Sequence, residues 1–247
     1  MTATAAQKYL LVTGGTRGIG RAVAARFVAE GFGVLTCARS APDLDRLRAD
    51  LTAAHPGADV RTFVADLGDP AQTAALGAWA LAQTGPDGVA LVPAVVVHNT
   101  GVFVSGRIQD EPDGALRRLL EVNVASAYDL TRAVLPPMLV RGEGHFFTIC
   151  STASIMAYSA GGSYCISKFA LLGFTKVLRE ELKTSALRVT AILPGATLTD
   201  SWAGADLPPD RLMPPEDVAE AVWTAWAASP RTVVEEVLLR PQLGDLP

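Results

Sequence analysis

The chain has 247 residues, 49% of them apolar and 19% charged, with a formal net charge of −4. That is length enough for one sizeable core, and a mildly acidic balance without any dense Lys/Arg run argues against a nucleic-acid partner. The lead, residues 1–7, lacks the basic start and apolar core of a secretory signal, and no apolar run reaches membrane-spanning length.

Taken in order, residues 8–13 (KYLLVT) form a short apolar run, read as a buried strand. A glycine-rich turn, residues 14–20, leads into an apolar-periodic helix that reaches about Glu30 and stops at Gly31-Phe32-Gly33. Residues 34–38 read as the second strand. Residues 42–54 read as a helix with Pro42 near its start and Leu44, Leu47 and Leu51 on one face. Residues 59–64 are the third strand, Asp69-Pro70 opens a helix to about Gln83, and 84–88 is a turn. Residues 93–97 are strongly strand-like, and 112–140 read as one long helical stretch. A strand at 146–150, a helix at 162–182 and a strand at 187–193 follow. A Pro-rich connection at 194–215, a helix at 216–227 and a last strand at 233–239 complete the chain. Strands alternating with helices predict an α/β fold: one doubly wound parallel β-sheet with helices on both faces, in a single domain spanning 1–247. Ligands of such folds bind at the carboxyl ends of the strands.

Cys37, Cys150 and Cys165 are odd in number and lack metal-ligand spacing, so they read as reduced thiols of a cytoplasmic protein. His55, His98 and His145 are scattered, with no zinc pattern. Two stretches carry chemistry. Gly14, Gly18 and Gly20 sit between strand and helix in the first βα unit, where glycines let the backbone approach a pyrophosphate at a helix N-terminus. Tyr164 and Lys168 are four apart and share a helix face, so an ammonium beside the phenol favours phenolate and brings the phenol toward useful acid–base chemistry. Ser151, thirteen residues before Tyr164, follows a strand-like run, and its hydroxyl could hold a substrate oxygen. Alone, a Y-x-x-x-K pair is as a rule an exposed packing pair, and a glycine loop is often only a tight turn.

Together these stretches resemble the short-chain dehydrogenase/reductase family over nearly the full length. Thr13-Gly14-Gly15-Thr16-Arg17-Gly18-Ile19-Gly20 matches the family's T-G-x-x-x-G-I-G. Asp66-Leu67 matches the pair that meets the adenine, and His98-Asn99-Thr100-Gly101 matches N-N-A-G with His98 and Thr100 as departures. Asn123, Ser151, Tyr164 and Lys168 match the catalytic set. Pro194-Gly195, with Thr197 and Thr199, matches the segment at the nicotinamide end. After the serine the family often has S-x-A-G where this chain has Ser151-Thr152-Ala153-Ser154. The resemblance implies a Rossmann fold with a small lid near 196–215. It implies hydride transfer between a nicotinamide and a carbonyl or alcohol, with Tyr164 as acid/base and Lys168 tuning it and holding the ribose. Ser151 would orient the substrate oxygen, and Asn123 would support a proton relay.

At the end of the second strand, where NAD-specific relatives often carry an acid, the chain has Ala38, then Arg39 and Ser40. Arg39 and Arg17 suit a 2′-phosphate, so NADP (NADPH) is the expected cofactor. Pocket-wall candidates are Phe103, Ile155, Met156, Tyr158, Leu198 and Trp202, each of which could equally be core. No cation evidently waits for a substrate carboxylate, which favours a neutral small-molecule carbonyl or alcohol. The resemblance also implies a homo-oligomer, tetramer or dimer. The helices at 112–140 and 162–182 carry apolar residues beyond one stripe: Leu116, Leu119, Leu120, Val124, Leu130, Val134, Phe169, Leu171, Leu172 and Phe174. Two alternatives stay open: a 3-oxoacyl-reductase-like enzyme of lipid or polyketide metabolism, and a non-catalytic NADP-sensing or scaffold protein.

Overall fold

Runs of apolar residues pair into one seven-stranded sheet in the computed structural model, which describes residues 7–85, 88–202 and 206–245. The strands are β1 (Tyr9–Thr13), β2 (Gly33–Ala38), β3 (Val60–Val64), β4 (Val95–His98), β5 (Gly144–Ile149), β6 (Leu187–Pro194) and β7 (Glu236–Leu239). Their order is β3-β2-β1-β4-β5-β6-β7 and every pairing is parallel. The helices are α1 (Gly18–Ala29), α2 (Ala41–Ala54), α3 (Pro70–Leu81), α4 (Ala115–Leu120), α5 (Ser126–Arg141), α6 (Gly162–Leu182) and α7 (Pro215–Ala227).

Strand residues alternate between two cores. Leu10, Val12, Val95 and Val97 pack with α1, α2 and α7, while Leu11 and Val96 pack with α3, α5 and α6. Both faces are therefore apolar, which is why the strands read as continuous hydrophobic runs rather than alternating ones. Phe27, fully buried, meets Phe32 and Trp223 edge-on at 5.1 and 5.2 Å and joins α1 to α7. The order of strands reverses between β1 and β4, so the loops after these two strands face each other across a crevice.

Three expectations need correction. The stretch 112–140 is not one regular helix: it begins at Ala115 after Gly114, whose φ of +84° suits glycine, and a π-turn, Glu121–Ala125, interrupts it. Of the apolar residues set aside for a partner subunit, Leu119, Leu130, Val134, Leu171 and Leu172 are buried within the chain itself, because the sheet and neighbouring helices already cover them. Pairing of the last strand starts only at Glu236. The stretch after β6 holds two short 3-10 turns, Asp200–Trp202 and Pro209–Arg211, while part of the expected lid, 203–205, and part of the turn at 84–88 lie outside the described residues.

Candidate active site

The crevice is built around the glycine loop. Gly14 and Gly18 have φ of +68° and +51°, a region a side chain disfavours. Gly20 has ordinary geometry but no room: a Cβ there would collide with the Gly14 carbonyl and the Asn99 amide. Arg17, the N-cap of α1, makes no side-chain cap, and the first N–H groups of a helix have no intrahelical partner. Thr16 is half-buried beside this end, and Ile19 packs against the core.

Across the crevice, Thr13 Oγ1 accepts from the N–H groups of Asn99 and Thr100, both at 3.0 Å. Asn99 Nδ2 donates to the carbonyls of Thr13 (2.9 Å) and Gly14 (3.1 Å). Asn99 thus locks the end of β4 to the end of β1. From a third side comes the segment after β6. Gly195 N donates to Leu239 O at 2.8 Å, buried Thr197 donates to Gly195 O at 3.0 Å, and a Cβ on Gly18 would lie 3.0 Å from the Thr199 methyl. Of the segment Pro194, Gly195, Thr197 and Thr199, Thr199 is the residue that meets the glycine loop, at Gly18.

Arg17 and Arg39 have different surroundings. Arg17 Nη1 lies 2.6 Å from Asp200 Oδ2, with the two side chains 66% and 65% exposed, whereas Arg39 is exposed and has no partner among the described residues. Ser40 caps α2, accepting from Asp43 N at 3.3 Å, and exposed Asp66 accepts from Gly68 N at 3.0 Å. Leu67 places its side chain in the core.

The second half of the site stands on α6. Lys168 is only 6% exposed, donates to Ile149 O at 2.9 Å, and has its Nζ 5.8 Å from the Tyr164 ring centroid. An ammonium carries three donors, and no carboxylate pairs with this one among the described residues. Asn123 projects from the π-turn. Its Oδ1 accepts from Val102 N (2.8 Å), and its Nδ2 donates to Val102 O (3.1 Å) and to Ser167 Oγ (2.9 Å). Gly101 lies between the two elements: a Cβ on it would sit 3.4 Å from Asn123 Oδ1 and 3.7 Å from Lys168 Nζ. Phe103 meets the Tyr164 ring edge-on at 4.8 Å.

Ser151 starts a short turn at the end of β5. Its Oγ accepts from Ala153 N at 3.1 Å while its N–H donates to Ser154 Oγ at 3.2 Å. The departure Ser151-Thr152-Ala153-Ser154 thus closes a capping box, and the Ser151 hydroxyl keeps its own proton to donate. Tyr158 is close by; burial and the neighbouring Tyr164 raise its pKa, so it stays a neutral phenol. Burial likewise raises the Cys150 thiol. His98, buried between Phe146 and Phe174, has its pKa pushed down to about 4 by burial, and its Nε2 shares a 2.8 Å hydrogen bond with Thr131.

Phe103, Ile155, Met156, Tyr158 and Leu198 are all 41–47% exposed, so they lie at the surface rather than in the core. Trp202 is half-buried. One cation outside the sequence motifs, Arg107, lines a groove of about 670 Å³ with Tyr158, Cys165, Ile166 and Phe169 along α6. Thr13 and Ser167 are working parts too, Thr13 the first letter of the glycine-loop motif and Ser167 one of the unspecified residues of Y-x-x-x-K. Ser167 donates to Tyr164 O at 2.8 Å and accepts from Asn123, and its place within Y-x-x-x-K was the available signal.

A family model described as short chain dehydrogenase matches residues 8–207. The sepiapterin reductase of Chlorobaculum tepidum is 32% identical over 246 residues, covering 96% of this chain and 97% of that protein. The 3alpha-hydroxysteroid dehydrogenase of Mediterraneibacter gnavus is 30% identical over 224 residues, covering 87% of each. Among solved structures, a metagenomic short-chain oxidoreductase in complex with NADP superposes with a TM-score of 0.80 at 28% identity, covering 95% of this chain and 97% of that one. A short-chain dehydrogenase from Sphingobium yanoikuyae in complex with NADPH gives 0.81 at 26%, covering 94% and 87%.

Proposed function

Because the chain belongs to the short chain dehydrogenase family, and so is a nicotinamide-dependent oxidoreductase of alcohols and carbonyls, we propose that it reduces a small neutral carbonyl with NADPH, using Tyr164 as proton donor. The observation that carries this reading is the nearly buried Lys168 ammonium, spending one donor on Ile149 O and standing beside the Tyr164 phenol without a carboxylate. Burying a charge without an ionic partner is costly, and here the cost is met where a proton must move.

The residues fit a dinucleotide. Two left-handed glycines, an uncapped helix N-terminus and Thr199 against Gly18 form a cradle that side chains would fill. Gly14, Thr16, Gly18, Ile19 and Gly20 would hold the pyrophosphate; Asp66 and Leu67 the adenine; Asn99 and Gly101 the crevice wall; Pro194, Gly195, Thr197 and Thr199 the nicotinamide end. Bound there, the cofactor supplies the hydride. Tyr164 gives its proton to the carbonyl oxygen as that oxygen becomes a hydroxyl. Lys168 favours the phenolate left behind and uses its free donors on the ribose. Ser151 donates to the substrate oxygen. Asn123, holding Val102 and Ser167, supports the path by which a proton returns from solvent through Lys168 to the Tyr164 phenolate.

NADPH preference rests on unpartnered Arg39 beside Ala38, with Arg17 as a second cation that must leave Asp200 to help. A charge-assisted bond contributes about 1.5–3 kcal/mol before screening, so the preference should span about one power of ten or more. We read the segment around 196–215 as a small lid and the assembly as a homo-oligomer. Ile166, Phe169 and Val177, on one stripe of α6, are 42–57% exposed, which suits a second copy.

A screen of carbonyl compounds followed through NADPH absorbance tests the reaction, with Tyr164→Phe as the control: turnover should vanish while NADPH still binds. Comparing kcat/KM for NADPH and NADH in wild type, Arg39→Ala and Ala38→Asp tests the cofactor. Arg39→Ala should weaken NADPH alone, and Ala38→Asp should reverse the preference. Equal use of both cofactors by the wild type would refute it.

A further inference from the structure

α6 begins without a local cap. Its N-cap is Gly161 and its first residue Gly162, neither of which has a side chain to accept from the exposed N–H groups of the first turn. The acceptor arrives from 52 residues away. Glu111 Oε1 takes the N–H of Ser163 at 2.7 Å, and Glu111 Oε2 takes the Ser163 hydroxyl. Ser163 is 3% exposed and Glu111 half-buried, so these bonds are partly screened from water. A Cβ on Gly162 would collide with Glu111 Oε1, so the second glycine is the space the carboxylate occupies.

Glu111 ends a loop that is pinned elsewhere too. At the start of that loop Asn123 holds both backbone groups of Val102. In its middle, Gly106 N donates to Ala160 O at 2.9 Å and Gly106 bridges Gly161. Between these anchors Phe103 stands edge-on against Tyr164, and Tyr164 follows the capped Ser163 directly. The carboxylate therefore fixes the first turn of α6 and the aromatic wall beside its phenol in one contact.

We propose that Glu111 is a positioning residue: by capping α6 across the substrate-side loop it sets where the Tyr164 phenol and Phe103 meet the substrate carbonyl. This rests on Tyr164 being the proton donor. The pyrophosphate cradle is built from other elements, and Lys168, beyond the first turn of α6, has its own anchor on Ile149 O, so Glu111 should govern turnover and substrate binding and leave NADPH binding alone. Misplacement of a reacting group by about 1 Å can cost about a hundredfold in rate.

The test compares Glu111→Ala, Glu111→Asp and Glu111→Gln. The first removes the acceptor, the second shortens its reach, and the third keeps an amide oxygen able to accept from Ser163 N. Hydrogen exchange at the amides of Gly162, Ser163 and Tyr164 is read first, because it needs no substrate: it should speed up in the Ala and Asp variants and stay slow in the Gln variant. NADPH affinity should match wild type in all three. With the best carbonyl from the screen, kcat per NADPH-binding site should fall about tenfold or more in Ala and Asp, as expected for a displaced proton donor, with KM raised and most of both restored by Gln. Wild-type kcat and KM in Glu111→Asp, or exchange unchanged in it, overturns the proposal, as does a fall in melting temperature with kcat per site intact. If Glu111→Ala does not fold, the Asp and Gln pair still decides. Failure of the Tyr164 reading is separate: Tyr164→Phe would then stay active.

Discussion

Acid should destabilise this protein through His98, and the size of the effect can be worked out from its burial. The imidazole is fully enclosed, and its pKa falls to about 4 from an ordinary 6.5. A base whose folded value is depressed binds fewer protons folded than unfolded between those limits, so its stabilising contribution is complete above about pH 6.5 and is lost as the pH falls toward 4. Over the whole window the loss approaches about 3 kcal/mol, and between pH 7 and pH 5 it is about 2 kcal/mol. His145, also pushed down by burial and by Arg188, adds loss of the same sign. The perturbation is His98→Asn, which removes the titrating group and leaves the carboxylates and His145 unchanged. Urea unfolding followed by tryptophan fluorescence at pH 7 and pH 5, at one ionic strength, gives four free energies. The variant will be less stable at pH 7, because Thr131 loses its partner and a ring is missing from between Phe146 and Phe174. Its deficit should shrink by about 2 kcal/mol at pH 5. A deficit of the same size at both pH values would refute the reasoning.

Asp200→Asn should free Arg17 and tighten NADPH binding by about two- to fivefold, the size of an exposed ion pair, without changing NADH binding; calorimetric titration of both cofactors checks this. Gly20→Ala should abolish dinucleotide binding, because the new methyl meets the Gly14 carbonyl and the Asn99 amide; fluorescence titration with NADPH reads it, and retained affinity would contradict the tight packing of the loop. Gly173→Arg places a long cation in open space on the α6 stripe of Ile166, Phe169 and Val177. It should leave NADPH binding intact and shift the light-scattering mass toward a monomer, whereas an unchanged oligomer would place the interface elsewhere.

The alternation of strand and helix was legible from the sequence because a parallel sheet buried on both faces needs apolar runs, and the helices between them need apolar stripes. The glycine loop and the Tyr164–Lys168 pair were legible for a related reason, and Asn99 only through the family resemblance. Close backbone approach and i,i+4 adjacency depend on residue type and spacing alone. Tertiary contacts decided the rest. No local signal tells a π-turn from regular helix at Asn123, whose amide finds Val102 and Ser167 only when the loop after β4 and α6 are in place. Nor could composition show that Asp200 returns to Arg17 across 183 residues, or that Glu111 supplies the cap that Gly161 and Gly162 cannot. A carboxylate's partner is set by where the chain brings it, and residue type gives only the charge it carries there.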